Sequence, residues 1–134
     1  MKLINRDTDY AIRALLYMAQ KPERLVSVQE LVDEAGVPKA FLRRILQQLG
    51  KAGILKSIKG KGGGFTLAVS ARRIRLSKVI EILQGKVSFN KCVLKKKICP
   101  NKKTCPLRKK ILKIEKNVVE ELQVVTIASL IEGD

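Results

Sequence analysis

Cys92, Cys99 and Cys105 are the residues of this chain best suited to chemistry; six and five residues separate them, and proline directly follows the second and third. Thiolates are soft donors that select zinc, copper(I) and iron–sulfur clusters over hard cations. Nine Lys or Arg and no acid run from Lys91 to Lys110; such surroundings favour the thiolate and offset the negative charge of a thiolate-bound centre. Structural cysteines are usually buried and inert, and a polar, lysine-rich stretch offers them no such burial. Three sulfurs are one short of a complete tetrahedral set, and the chain contains no His, which argues against a closed zinc site. A carboxylate, a partner subunit or an external thiol would be needed to complete an iron–sulfur cluster, two-iron or four-iron, on these cysteines. Two other uses fit the same cysteines: a thiol-redox or zinc switch, and an iron–sulfur electron-transfer component. No His or acidic pair suits acid-base catalysis, so an enzyme is not expected.

A site of this kind needs a scaffold, and 134 residues suit one compact domain with an extra arm. Apolar residues make up 46% of the chain and aromatics 4%, with no Trp. The core must therefore be built from Leu, Ile, Val and Ala, as in small helical folds. The formal net charge is +16, from 28 Lys and Arg against 12 Asp and Glu. No acid lies between Glu34 and Glu81 or between Glu81 and Glu115, so the middle of the chain is an uninterrupted cationic field. A surface tuned only for solubility would intersperse both signs; this distribution points to a polyanionic partner. A membrane surface would call for a basic amphipathic helix with bulky apolar anchors or a lipidation signal, and neither is evident. The segment Met1 to Asp7 lacks a signal-peptide apolar stretch and no run approaches the length of a membrane span, so a cytoplasmic location is expected. Thiols stay reduced there, and an odd number of them suits ligation or sensing better than a disulfide framework.

The elements that must carry these residues are legible from periodicity. A first helix opens near Asp7 or Thr8 and places Ile12, Leu15, Leu16 and Ala19 on one apolar face. Ser27-Val28-Gln29-Glu30 is a capping-box pattern opening a second helix, whose core residues are Leu31, Val32 and Ala35. Gly36 allows a sharp turn, and Pro38 suits the first position of a third helix. On that helix Leu42, Ile45, Leu46 and Leu49 share one side, while Ala40, Arg44, Gln47 and Lys51 lie opposite, with Arg43 and Gln48 on the flanks. Gly53 stops the helix. Ile54-Leu55 then leads through Ile58 to the tip Lys59-Gly60-Lys61-Gly62-Gly63-Gly64, and Phe65-Thr66-Leu67 returns as the second strand of a hairpin wing. Ile74-Arg75-Leu76 is a candidate third strand, and Ser77 is placed to cap a brief helix ending at Gly85. The cysteines follow in a loop of the length that is usually functional. Beyond Pro106, Leu107, Ile111, Ile114, Val118 and Leu122 form a narrow stripe suited to pairing with another helix, and a last short helix starts at Thr126.

This order predicts a mainly α fold with a small β wing: a winged helix-turn-helix followed by a long C-terminal dimerisation helix. The expected divisions are 1–85 for DNA binding, 86–106 for the cysteine loop, and 107–134 for the dimerisation helix and tail. The major groove of B-DNA admits one α-helix presenting long donors. Arg43 and Arg44 suit guanine O6 and N7, Gln47 and Gln48 suit adenine, and Lys39 at the helix start suits phosphate, with Ala40 on the same outer face. Lys59 and Lys61 bring charge to a glycine-rich tip that can approach a backbone closely. That tip lacks both the dinucleotide fingerprint and the Lys-Ser or Lys-Thr of a phosphate-binding loop. For a nonspecific nucleic-acid binder, charge alone would suffice.

Several segments together carry a family resemblance. They are Met1-Lys2-Leu3 leading to Thr8-Asp9-Tyr10-Ala11-Ile12-Arg13-Ala14-Leu15, then Phe41-Leu42-Arg43-Arg44-Ile45-Leu46, Leu49-x-Lys51-Ala52-Gly53-Ile54-Leu55, the wing Lys59 to Phe65, and the three-cysteine loop. Over nearly its full length the chain resembles the IscR and NsrR type of bacterial winged-helix regulators, the Rrf2 family. The resemblance implies a homodimer joined through the long C-terminal helix, recognition helices in successive major grooves of a partly palindromic operator, and a cluster near the dimer interface. In the NsrR-like branch an Asp near the start of the first helix, from the other subunit, completes the cluster, and Asp9 matches that position better than Asp7. The first cysteine gap is one residue longer than the family's commoner spacing, and the branch using His as fourth ligand is excluded.

Overall fold

The computed structural model describes residues 3–87 and 105–133. Helix α1 (Arg6–Ala19) begins slightly ahead of the expected Asp7 or Thr8, because Asn5 is the cap: its side chain accepts the Thr8 amide at 2.9 Å. Asp7 and Asp9 then fall in the first turn, where the helix dipole favours negative charge. Ser27 caps α2 (Val28–Ala35) by accepting the Glu30 amide at 3.0 Å. The reciprocal half of the capping box does not form. The Glu30 carboxylate instead accepts the Tyr17 hydroxyl and the Arg24 guanidinium, whose Nη1 lies 3.1 Å away, tying the end of α1 to the start of α2. The Arg24 hydrogen bond, then that from Tyr17, holds the Glu30 carboxyl below its usual range. The stabilisation from Glu30 is thus present above the ordinary carboxylate range and is lost as pH falls through its depressed pKa.

Gly36 ends α2 in the left-handed region at φ +70°, and α3 (Lys39–Lys51) follows with Pro38 as its cap residue rather than its first residue. Leu42, Ile45, Leu46 and Leu49 are fully buried, while Ala40, Arg43, Arg44, Gln47 and Lys51 are exposed. Each buried aliphatic side chain contributes roughly 1.5–3 kcal/mol, so packing of this face fixes which face of α3 points outward. The helix packs against α1, α2 and the first wing strand.

The wing consists of β1 (Leu55–Ile58) and antiparallel β2 (Gly64–Leu67), with Leu55 opposite Leu67 and Ile58 opposite Gly64. Val26 and Phe65 exchange backbone hydrogen bonds of 2.8 Å, which fastens the wing to the segment entering α2. Two of the tip glycines are needed for this closure itself. A Cβ on Gly63 would lie 2.1 Å from the Ile58 carbonyl oxygen, and one on Gly64 would lie 2.6 Å from that of Val26. Gly64→Ala is therefore expected to destabilise the protein by about 1–3 kcal/mol through forced backbone displacement, measured by urea unfolding; an unchanged midpoint would show that the wing does not need this close approach.

The candidate third strand, Ile74 to Leu76, does not join the wing. A short 3₁₀ helix (Ala71–Arg73) intervenes, and Arg75 forms an isolated bridge with Thr126 instead. Helix α4 (Leu76–Gln84) begins before Ser77, with Arg75 at the cap position, and ends at Gly85. Pro106 occupies the start of α5 (Pro106–Val124), and α6 (Ile127–Glu132) closes the chain behind a Thr126–Ser129 capping box. The apolar stripe of α5 is divided. Leu122 is buried with Leu76 and Ile80 of α4, and Val118 packs against them, whereas Leu107 is 66% exposed and Ile114 42%. Helix α6 returns to α1, and Ile127 is fully buried in the main core. Among the described residues no helix is long and apolar enough to cross a membrane.

Candidate nucleic-acid interface

The outer face of α3 is a continuous polar surface. Lys39, Ala40, Arg43, Arg44 and Gln47 are all exposed along it, and Gln48 is half-buried. Lys59 and Lys61 are exposed at the wing tip. The start of α1 flanks this face, a placement not visible from sequence because it depends on how two helices cross. Phe41 is half-buried against Tyr10, with ring centroids 5.9 Å apart. The Arg6 guanidinium lies 4.0 Å over the Phe41 ring and that of Arg44 lies 5.9 Å from it. Arg44 Nη2 donates to Asp7 Oδ2 at 2.6 Å. Arg6, Asp7 and Phe41 thus belong to this surface; the sequence marked Asp7 as a helix opener and Phe41 as part of a family segment, and neither signal pointed to Arg44.

The N-terminal segment is held by one side chain at the end of α4. Gln84 Oε1 accepts the Asn5 amide at 3.0 Å and the Thr8 hydroxyl at 2.7 Å, and Gln84 Nε2 donates to the Leu3 carbonyl at 3.0 Å. Thr8 is fully buried, so its hydroxyl needs this partner. Nothing in the periodicity of either helix singles out Gln84.

Of the expected metal ligands, Cys92 and Cys99 lie outside the described residues. Cys105 is the cap residue of α5, half-buried and free of any disulfide. It stands at the end of a helix that favours negative charge, with no acid in the first turn. Asp9 is half exposed and pairs with Arg13 on its own helix, Nε to Oδ2 at 3.1 Å. Among the described residues no three or more His, Cys, Asp or Glu come together. The donors fit a thiophilic centre in kind: thiols in a cationic setting, one of them at a helix start, with no His in the chain.

A helix-turn-helix with an outward-facing cationic second helix and a lysine-tipped hairpin defines a winged-helix DNA-binding transcription regulator. The family model described as Rrf2, iron-dependent transcriptional regulator, matches residues 4–133. The chain belongs to the Rrf2 family. Its fold is similar to that of CymR (YrzC), the global cysteine regulator of B. subtilis, at 22% identity and a TM-score of 0.83, covering 100% of this chain and 99% of that one. It is also similar to T. potens IscR, at 26% identity and a TM-score of 0.76 over 98% of this chain and 87% of that one. Staphylococcus aureus CymR matches at 21% identity and a TM-score of 0.75, over 97% and 98%.

Proposed function

We propose that this chain is a homodimeric regulator that reads a partly palindromic DNA operator with α3 and senses iron–sulfur status, redox state or nitric oxide through Cys92, Cys99 and Cys105. The observation that carries the DNA reading is the sorting of α3. Its apolar residues are buried while Lys39, Ala40, Arg43, Arg44 and Gln47 face solvent. Arg43, Arg44 and Gln47 supply base contacts, and Lys39, Lys59 and Lys61 supply phosphate contacts. The exposed N-terminal part of the α5 stripe supports pairing with a second copy.

Cys92, Cys99 and Cys105 would hold the cluster, with Asp9 of the other subunit as fourth ligand once released from Arg13. The bound group would supply reversible oxidation and loss. Cys105 opens α5, α5 packs on α4, and Gln84 of α4 holds Asn5 and Thr8, so a change at the sulfur has a packed route to the DNA-facing end of α1. Such a change alters DNA affinity only through differential stabilisation of the two arrangements.

The test begins with selection of preferred duplexes from a randomised pool by the full-length protein. Arg44→Ala is expected to lose about 1–3 kcal/mol of discrimination at one base position. Lys61→Ala is expected to weaken all sequences evenly and to flatten the salt dependence by up to about one unit of slope. Equal losses on every sequence from both variants would overturn the assignment, and so would a protein that sediments as a monomer while binding its preferred duplex. If the protein purified without oxygen contains no iron and its thiols pair on oxidation, the cysteines form a thiol switch rather than a cluster site.

A further inference from the structure

An acid stands within the cationic face of α3 and α1. Asp7 Oδ2 accepts Arg44 Nη2 at 2.6 Å, while its Oδ1 is buried, with Arg6 Nε 4.0 Å away. The Asp7 side chain is 25% exposed and that of Arg44 56%. Helix capping does not account for the partnership, since an acid in the first turn serves the helix dipole without contacting another helix. Stability is a weak account of it, because Arg44 is more than half exposed and solvent screens the pair from that side.

The arrangement does constrain Arg44. With one oxygen buried the carboxylate cannot swing freely, and the Arg44 guanidinium lies over the Phe41 ring, 5.9 Å from its centroid. One guanidinium edge is occupied while the exposed part keeps donors in its rigid fork. The carboxylate also repels phosphate oxygens, whereas guanine O6 and N7 are neutral acceptors. We infer that Asp7 is a positioning residue, holding Arg44 in the conformation that reads guanine and steering it away from the phosphate backbone. This rests on the reading of α3 as the base-contacting helix.

The experiment compares wild type, Asp7→Ala, Asp7→Asn, Arg44→Ala and the Asp7→Ala/Arg44→Ala double variant. For each full-length protein, base preference is measured position by position on the selected duplex, alongside affinity for a random duplex and thermal unfolding. Asp7→Ala and Asp7→Asn are expected to lower guanine preference at the Arg44-dependent position by about two- to tenfold, the size expected when an arginine must be immobilised on binding. Random-duplex affinity should hold or rise, the unfolding temperature of Asp7→Asn should stay near wild type, and Asp7→Ala should add nothing at that position once Arg44 is absent. If Arg44→Ala flattens a position that both Asp7 variants leave intact, the positioning role is overturned while the reading of α3 survives. If the Asp7 variants bind the selected duplex more tightly with undiminished preference, Asp7 restrains Arg44 instead, and the proposal fails. If Arg44→Ala changes no base preference, the reading of α3 and the inference fall together.

Discussion

Cys105→Ser is expected to reduce iron and sulfide in anaerobically reconstituted protein to background while leaving the fold intact. The expectation follows from where the residue sits. Cys105 is the cap residue of α5 and makes no side-chain capping hydrogen bond, so replacing its thiol by a hydroxyl removes no capping contact. Serine is among the better N-caps, worth roughly 0.5–2 kcal/mol over residues that do not cap, and the variant should unfold no earlier than wild type. On the proposed reading the same change removes one of three sulfur donors from a set already short of a tetrahedral complement in a chain without His. Visible absorption with iron and sulfide assays measures the first effect, and thermal unfolding the second. Full iron content in the variant would exclude Cys105 as a ligand. Loss of iron accompanied by loss of structure would show that the sulfur was needed for folding.

Leu42→Ala is expected to cost about 2–5 kcal/mol of stability, the range for emptying a packed leucine site. Leu42 is fully buried in the main core, on the inner side of the helix that presents Arg43 and Arg44. A domain of this size is stable by only about 5–15 kcal/mol, so DNA binding should fade with the folded population. Gln47→Ala, on the outer face, should stay within about 0.5 kcal/mol of wild type in stability. Urea unfolding followed by helical circular dichroism separates the two. A Leu42→Ala cost below about 1 kcal/mol would mean that α3 is rotated from the packing described.

Much of this fold was legible because one physical quantity, apolar periodicity, governs it. The inner face of α3 was identified residue by residue, since a helix has no other way to bury Leu42, Ile45, Leu46 and Leu49 together. The wing was legible from its glycines, although Gly63 and Gly64 turned out to relieve backbone contacts within the protein. The misplaced elements share a cause. Ile74 to Leu76 has strand-like residues, but backbone partners are chosen in three dimensions, and Thr126 was the one within reach. Glu30 fits a capping box, yet its carboxylate joins Tyr17 and Arg24, where two strong donors outweigh a single amide. Asp7 was read only as a helix opener and lesser ligand candidate and Phe41 only as part of a family segment, and Gln84 was not singled out, because the partners of all three lie far away along the chain.

From sequence alone came the chemical inventory: a cationic middle, three soft sulfur donors without His, and a third helix with its inner and outer sides sorted. These follow from residue type and local period, which need no knowledge of distant neighbours. Tertiary structure alone decided that Asp7 meets Arg44, that Gln84 holds the start of α1, and that part of the α5 stripe is spent inside the chain. Each is a contact between residues remote in sequence, and such contacts depend on how the elements cross rather than on what any one element contains.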